Sequence, residues 1–308
     1  MSIDTPHPHA HLPTLKPRVW VVIFAVAAFL AVTGVVALVD RGGAFALAPS
    51  LQINPLYSLS GFIVGGLVGL TGVAGGSLMT PLLVLVFGFH PGAAVGTDLL
   101  FASGTKSVGT AVHGLNRTVD WKITGRLALG SIPAALATLA LLYFLGIHSD
   151  GASRLITVTL GVALILTAIS LVFRSRILAF ASSRWAEPSA RKTALLTTVL
   201  GAVLGVLITI SSVGAGAIGV TVLVFLYPRM PIARVVGSDI AHAVPLTLIA
   251  GLGHLWLGTV DLKVLGELLV GSVPGIIIGS YLATRIPDLM LRPILATMLM
   301  VVGAKLTH

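Results

Sequence analysis

No cysteine occurs in the 308 residues. Disulfides, thiolate metal sites and persulfide relays are therefore excluded, and any sulfur chemistry belongs to a substrate. Charge is scarce as well. Asp, Glu, Lys and Arg together make up 9% of the chain, against about 25% in a soluble domain. So few ionised groups cannot cover a surface that faces water. A hydrophobic content of 56% and a mean hydropathy of +1.04 instead suit a surface that faces lipid. Acidic residues are the rarest charged class, 10 against 19 Lys and Arg, for a net charge of +9. The cations sit in short clusters between apolar runs, with no aromatic interleaving and no basic domain. That pattern excludes nucleic-acid binding and fits cytoplasmic loops under the positive-inside rule.

Residues 1–17 are polar and rich in Pro and His, the composition of a disordered tail. His7, His9 and His11 offer weak metal ligation as the other reading. The apolar run Val19–Val39 follows Lys16 and Arg18 and is expected to form an uncleaved N-terminal transmembrane helix over 18–40. A secretory signal core is shorter, about 7–15 residues, although Ala46-Leu47-Ala48 has a small-x-small cleavage pattern. Further apolar segments run 56–89, 92–116, 121–146, 153–173, 193–227, 232–258, 262–284 and 288–306. Most suit one crossing of about 20 residues. Segments 56–89 and 193–227 are too long, and each is interrupted by small residues, Thr71-Gly72-Val73-Ala74-Gly75-Gly76 and Ser211-Ser212-Val213-Gly214-Ala215-Gly216. Halves of about 15 residues, roughly 22 Å of helix, fall short of a bilayer core of about 30 Å. Each pair is therefore expected to be a helical hairpin with its tip inside the protein.

Adding 141 to a residue number maps the first half onto the second without a gap. Val95-Gly96-Thr97-Asp98 falls on Val236-Gly237-Ser238-Asp239, His113 on His254, Thr118-Val119-Asp120 on Thr259-Val260-Asp261, and Gly130-Ser131 on Gly271-Ser272. Upstream, Thr80 falls on Thr221. So many ungapped polar matches in a Leu/Val/Ala-rich chain identify a duplication, with repeats over 56–174 and 190–308. Arg174, Arg176, Arg184, Arg191 and Lys192 crowd one connection, which belongs in the cytoplasm together with the N-terminus. Counting the broken segments as hairpins gives each repeat an odd number of passes and inverts the halves, whereas single crossings would make them parallel and put Arg229 and Arg234 outside. The fold class is thus all-α, a polytopic bundle of two inverted repeats plus one N-terminal helix. Inverted repeats with discontinuous helices place a transport site near the midplane.

The glycine-rich break before Ser77-Leu78-Met79-Thr80-Pro81-Leu82, then Ala94-Val95-Gly96-Thr97-Asp98-Leu99-Leu100, with a degenerate second copy, resembles the TauE/SafE sulfite exporter family. The resemblance covers all but the first span and tail. It implies a permease of the bacterial inner membrane for sulfite, sulfonates or related organic and sulfur oxyanions. It implies no enzyme activity and no cofactor. The second copy has Ala217 where the first has Gly76 and Val213 where it has Gly72, which leaves open whether both tips bind substrate equally.

A helix broken in mid-membrane leaves amides without partners at the start of its second half, and an anion suits that positive end. Thr71, Gly72, Gly75, Gly76, Ser77, Thr80 and Thr97 are candidate substrate contacts from the first repeat. Ser211, Ser212, Gly214, Gly216, Thr221 and Ser238 are their counterparts in the second. The competing reading is that small residues only permit close helix packing. Asp98 and Asp239 lie near the starts of their helices, as capping groups or as proton-coupling carboxylates. Lys106, two turns after Asp98, pairs with it or attracts substrate. His113 and His254 anchor the loops carrying Asp120 and Asp261, with proton relay as the other role.

The expected function is secondary transport of a small anion by alternating access, with protons as the candidate coupling ion and the bilayer as surroundings. Assembly into a homo-oligomer is left open. An anion channel is one alternative, although the polar residues do not line a continuous pore. An intramembrane redox or enzyme subunit is another, although His113, His242 and His254 lack the paired spacing of haem or metal ligands.

Overall fold

A computed structural model describes residues 54–71, 78–115, 118–146, 149–184, 189–214, 216–282 and 288–307. The tail, the apolar run 19–39 and the tip of the first break lie outside the described residues. Ten helices account for nearly all of the described chain. These are α1 (Pro55–Thr71), α2 (Met79–Leu85), α3 (Pro91–Leu115), α4 (Trp121–Leu145), α5 (Asp150–Arg184), α6 (Ala190–Ser211), α7 (Ala217–Leu226), α8 (Ile232–Trp256), α9 (Leu262–Leu282) and α10 (Asp288–Thr307). Backbone amides in lipid must be satisfied within their own segment, and the helix does this. Five of the helices, within α4, α5, α6, α8 and α9, are long and apolar enough to cross a membrane. The protein is a multi-pass membrane protein. α3 matches α4 and α8 in length at 25 residues, but Asp98, Lys106 and its hydroxyl residues keep it off that set, as befits a helix at the centre.

Both long segments break where the sequence places the break, but the halves are unequal. α6 has 22 residues and α7 has 10, about 33 Å and 15 Å. α6 alone is long enough to cross a bilayer core, and the expectation of two equal short halves is corrected. The cause is local. Nothing before Ile210 interrupts the helix, and the chain leaves it only at Ser212, a left-handed residue with φ 57°. Gly214 and Gly216, at φ 127° and 101°, complete the reversal, a conformation that glycine adopts without a Cβ penalty. α7 then runs back beside α6. Tyr227, just past its end, places its hydroxyl 2.9 Å from Thr197 Oγ1 near the start of α6. The first pair closes likewise, with the Tyr57 ring of α1 against Phe87 and Phe89 beyond α2, at 4.5 and 6.2 Å between centroids.

Glycine seams set how the helices pack. α1 lies on α9 and α4 on α6. Gly61 and Gly65 press on the backbone of Leu268 and Ser272, while Gly201 and Gly205 press on Leu127 and Ser131. The numbers rise together along each pair, so both pairs are parallel, and each joins a helix of one sequence copy to a helix of the other. α3 and α8 cross the opposite way, with Gly96 near His254 and Thr259, and Gly251 against Leu100. Gly61 and Gly65 differ from Gly201 and Gly205 by 140, whereas their partners differ by 141. The ungapped match is therefore corrected: the copies differ by one residue inside the breaks, because backbone contact, not side-chain identity, fixes the register of α1 and α6. In lipid, such small-residue contacts and the dispersion they permit carry helix association.

Gly201→Ala forces a Cβ into the Leu127 backbone and should lower stability by about 1–3 kcal/mol. Gly266→Ala, where a Cβ meets nothing within 4 Å, should be neutral or stabilising by up to about 1 kcal/mol. Thermal unfolding of the two variants in detergent checks the contrast.

Candidate functional site

The first amides of α2 and α7 lack intrahelical acceptors, and in both cases a carboxylate from the following long helix supplies one. Asp98, the eighth residue of α3, accepts from Thr80 N at 3.2 Å and Thr80 Oγ1 at 2.5 Å. Asp239, the eighth residue of α8, accepts from Gly216 N at 2.7 Å. Gly216 is the residue that opens α7. Both carboxylates are fully buried. From the sequence each is either a cap of its own helix or a proton-coupling carboxylate. They cap the half-helix of the preceding hairpin instead, because the hairpin lays its short arm along the next helix and brings its start to that helix's second and third turns. Gly219 leaves room for this, since a Cβ there would collide with the Asp239 carboxylate. A negative charge at a helix N-terminus is favourable, so two of the helix ends assigned to substrate from sequence already hold internal anions.

Each carboxylate keeps its Oδ1 buried with no hydrogen-bond partner among the described residues, and the same holds for Lys106 Nζ, Ser212 Oγ and His242 Nδ1. Ser212 faces the Asp98 carboxyl without reaching hydrogen-bond geometry. Lys106 lies in the fields of both Asp239 and Asp98 and hydrogen-bonds neither, so the Asp98 expected along α3 is joined by a second carboxylate. The antiparallel crossing of α3 and α8 brings Asp239 to it. His242 also faces Lys106, while its Nε2 lies 2.8 Å from Ser131 Oγ of α4. The arrangement is a buried centre of two carboxylates, one ammonium, one imidazole and one hydroxyl, with donors and acceptors left open. Unpaired polar groups at such depth are costly, so a centre of this kind points to function.

Other candidates are placed differently. Thr97 Oγ1 accepts from Asp261 N at 3.1 Å, and Ser238 Oγ accepts from Asp120 N at 2.8 Å. The two hydroxyls hold the entries to α9 and α4. Thr221 Oγ1 reaches back to Ala217 O and sits 2.5 Å from Ser170 Oγ of α5. Ser211 Oγ donates to Leu207 O and accepts from Val213 N, and Gly214 lies in the turn. His254 Nε2 is 3.0 Å from the Thr209 carbonyl and its Nδ1 is 3.0 Å from Thr259 Oγ1. The carbonyl makes Nε2 the protonated nitrogen. His254 thereby ties the end of α8 to α6 and to the loop before α9. Gly72, Gly75, Gly76 and Ser77, with the side chains of Thr71 and His113, lie outside the described residues. The pairs Ser131–His242 and Ser170–Thr221 were not anticipated. Their only sequence signal is a hydroxyl in an otherwise apolar helix. Among the described residues no three His, Asp or Glu side chains converge on a common point.

The model of the sulfite exporter TauE/SafE family matches residues 57–306. Among curated proteins, "Probable membrane transporter protein YjnA" of Bacillus subtilis strain 168 is 38% identical over 204 residues, covering 66% of this chain and 80% of that protein. "Probable membrane transporter protein MJ0441" of Methanocaldococcus jannaschii is 28% identical over 210 residues, 66% of this chain and 72% of that protein. "Probable membrane transporter protein YunE" of Bacillus subtilis strain 168 is 38% identical over 74 residues, 24% of this chain and 26% of that protein. No solved structure matches.

Asp239→Ala strips the acceptor from a buried amide and should cost about 1–3 kcal/mol. Asp239→Asn keeps an oxygen there and should cost less. Unfolding midpoints in detergent rank the two.

Proposed function

This chain belongs to the sulfite exporter TauE/SafE family, and from that membership we propose that it is a secondary transporter of a small anion, such as sulfite, a sulfonate or another organic or sulfur oxyanion. The observation that carries the proposal is the buried charged centre where α3 and α8 cross, flanked by the hairpin formed by α6 and α7 and by the start of α2 at Thr80. A stable core has no use for unpaired groups there, whereas a transported polar solute would satisfy them. The repeats would be inverted, a reading supported by the antiparallel crossing of α3 and α8 and by the exchange of parallel contacts, α1 with α9 and α4 with α6. Alternating access would shift the short arms α2 and α7 about the centre, against the frame of long helices that the glycine seams hold together. The inner membrane, with the 174–192 connection and the N-terminus in the cytoplasm, is the proposed location.

Purified protein in proteoliposomes should take up one of sulfite, thiosulfate, isethionate or acetate saturably. Failure of all four, or single-channel currents carried by them, would sink the proposal.

The orientation has its own test in this cysteine-free chain. Arg229→Cys should react with maleimides only after the reagent enters the cytoplasm, and Lys263→Cys should react with impermeant reagent from outside. The reverse pattern would invert the topology.

Proton coupling follows from the two carboxylates. Asp98 holds both a hydroxyl and an amide of Thr80, whereas Asp239 holds one amide. Asp239 is the less tied of the two, and because the Lys106 ammonium stabilises its charged form its protonation belongs with the arrival of an anion; coupling requires that protonation favour one access state. Asp239→Asn should therefore weaken the response of anion flux to a pH gradient more than Asp98→Asn does. Full wild-type response in Asp239→Asn would leave that carboxylate a cap alone.

A further inference from the structure

We infer that Lys106 is the residue that binds the transported anion, and that the anion takes over the Asp239 carboxylate's place beside it, one proton passing to the carboxylates for each negative charge bound. This rests on the proposal above that the buried centre carries an anion, and it names the charge partner and the stoichiometry.

The Lys106 ammonium is wholly buried although part of its stem is exposed, and its nitrogen has no hydrogen-bond partner among the described residues. An ammonium has three donors, so three are open here. A lysine placed for stability would end in a close ion pair. This one lies in the fields of Asp239 and Asp98 without hydrogen-bonding either. Its counterpart in the second copy is Thr247, whose hydroxyl turns back to Ala243 O at 2.8 Å. The duplication has thus left a single cation at a centre shared by both copies, on the helix pair that crosses antiparallel.

The charges facing this nitrogen are few. α3 contributes Asp98 and Lys106, and α8 contributes Asp239 and His242. The apposed ends of α6 and α7 contribute no ionisable side chain from Leu200 to Leu226. α4 brings Ser131 to His242, and α5 brings Ser170 to Thr221, both uncharged. With both carboxylates ionised, the ammonium charged and His242 neutral, the centre carries one net negative charge. Adding a monoanion would leave two negative charges in a low-dielectric interior, which is prohibitive. If Asp239 takes a proton from the compartment the anion enters from, its negative charge is replaced by the substrate's and the net charge is unchanged. The released Gly216 amide and the open Ser212 hydroxyl are then donors for substrate oxygens, as the ammonium is. A dianion needs a second proton, and Asp98 is the second carboxylate available. Anion and protons therefore move in the same direction, and an inward proton gradient drives uptake.

The test uses full-length protein in detergent and in liposomes, with sodium sulfite, thiosulfate and isethionate as probes against sodium chloride at equal ionic strength. Wild-type protein should be stabilised by at least one probe through mass action. Lys106→Gln should need about ten- to a hundredfold more of that probe for the same shift, the loss expected for one charge-assisted hydrogen bond. Lys106→Arg should recover most of the affinity. A lysine that only supports the fold would change the ligand-free midpoint and leave the concentration dependence alone. If Lys106→Gln gives no folded protein, Lys106→Thr, the residue found at Thr247, reads the same dependence. In liposomes loaded with a pH-sensitive dye, uptake of the stabilising probe should acidify the lumen by one proton per negative charge carried. A wild-type protein indifferent to all three probes would overturn the transport proposal itself. A responsive wild type with equal affinity in the Lys106→Gln or Lys106→Thr variant would overturn only the role of Lys106. Uptake without lumen acidification would overturn the exchange of carboxylate for substrate.

Discussion

An amide without an acceptor cannot be left in the interior of a membrane protein, and that constraint organises this fold. A continuous helix meets it residue by residue. A helix broken at mid-depth does not, because the first turn of its second half has no carbonyls behind it. The chain solves the problem the same way twice, turning the short half-helix back along the next long helix and setting an aspartate there at its start. Asp98 on Thr80 and Asp239 on Gly216 are the outcome. The breaks, the hairpins and the burial of two carboxylates then become one arrangement. Neither carboxylate would be tolerable without the half-helix, and neither half-helix start would be satisfied without its carboxylate.

This coupling between break and carboxylate also explains what the sequence could and could not yield. The helix boundaries were legible because the bilayer imposes length and apolarity on every crossing. The segments 121–146 and 232–258 became α4 and α8 with ends shifted by two residues or fewer. The breaks were legible because small residues, chiefly glycine, serine and alanine, cluster in them. The unequal halves were not expected, although the break at Ser211–Gly216 stands off-centre in the segment and α6 begins at Ala190, before the apolar run does. The register of α1 and α6 was hidden. It is fixed by where glycine Cα atoms touch the backbone of α9 and α4, and one residue gained or lost in a turn does not disturb polar matches further along.

The centre itself was legible in composition and hidden in partnership. Asp98, Lys106 and Asp239 stand out as ionisable residues in apolar helices, and depth in a membrane makes each of them costly. Spacing along α3 suggested Asp98 as the partner of Lys106, because two turns separate them on one helix. The crossing of α3 with α8 adds a second carboxylate, Asp239, that no spacing rule reveals. Thr97 and Ser238 show the same limit from the other side. Their position just before each aspartate suggests a shared role with it, yet their hydroxyls hold Asp261 and Asp120 at the entries of α9 and α4. In each case the deciding neighbour comes from the other copy of the duplication.

That interdependence bears on how such a protein could move. Each copy supplies the long helix that its own half-helix leans on, but the seams run between copies, α1 against α9 and α4 against α6. Sliding one copy past the other as a rigid body would have to break glycine contacts that tolerate no added Cβ. The hairpin arms are held more lightly. The polar ties of α7 to α8 and α5 are one amide to Asp239 and the Ser170 hydroxyl on Thr221 and on the Ala217 carbonyl. α2 is seven residues long and tied to α3 through Thr80. Protonating Asp239 weakens the first of these ties without touching a seam. For the proposed transport function, the least costly motion is therefore a shift of the short arms against a fixed frame of long helices, and protonation of Asp239 is the step that would loosen the α7 arm.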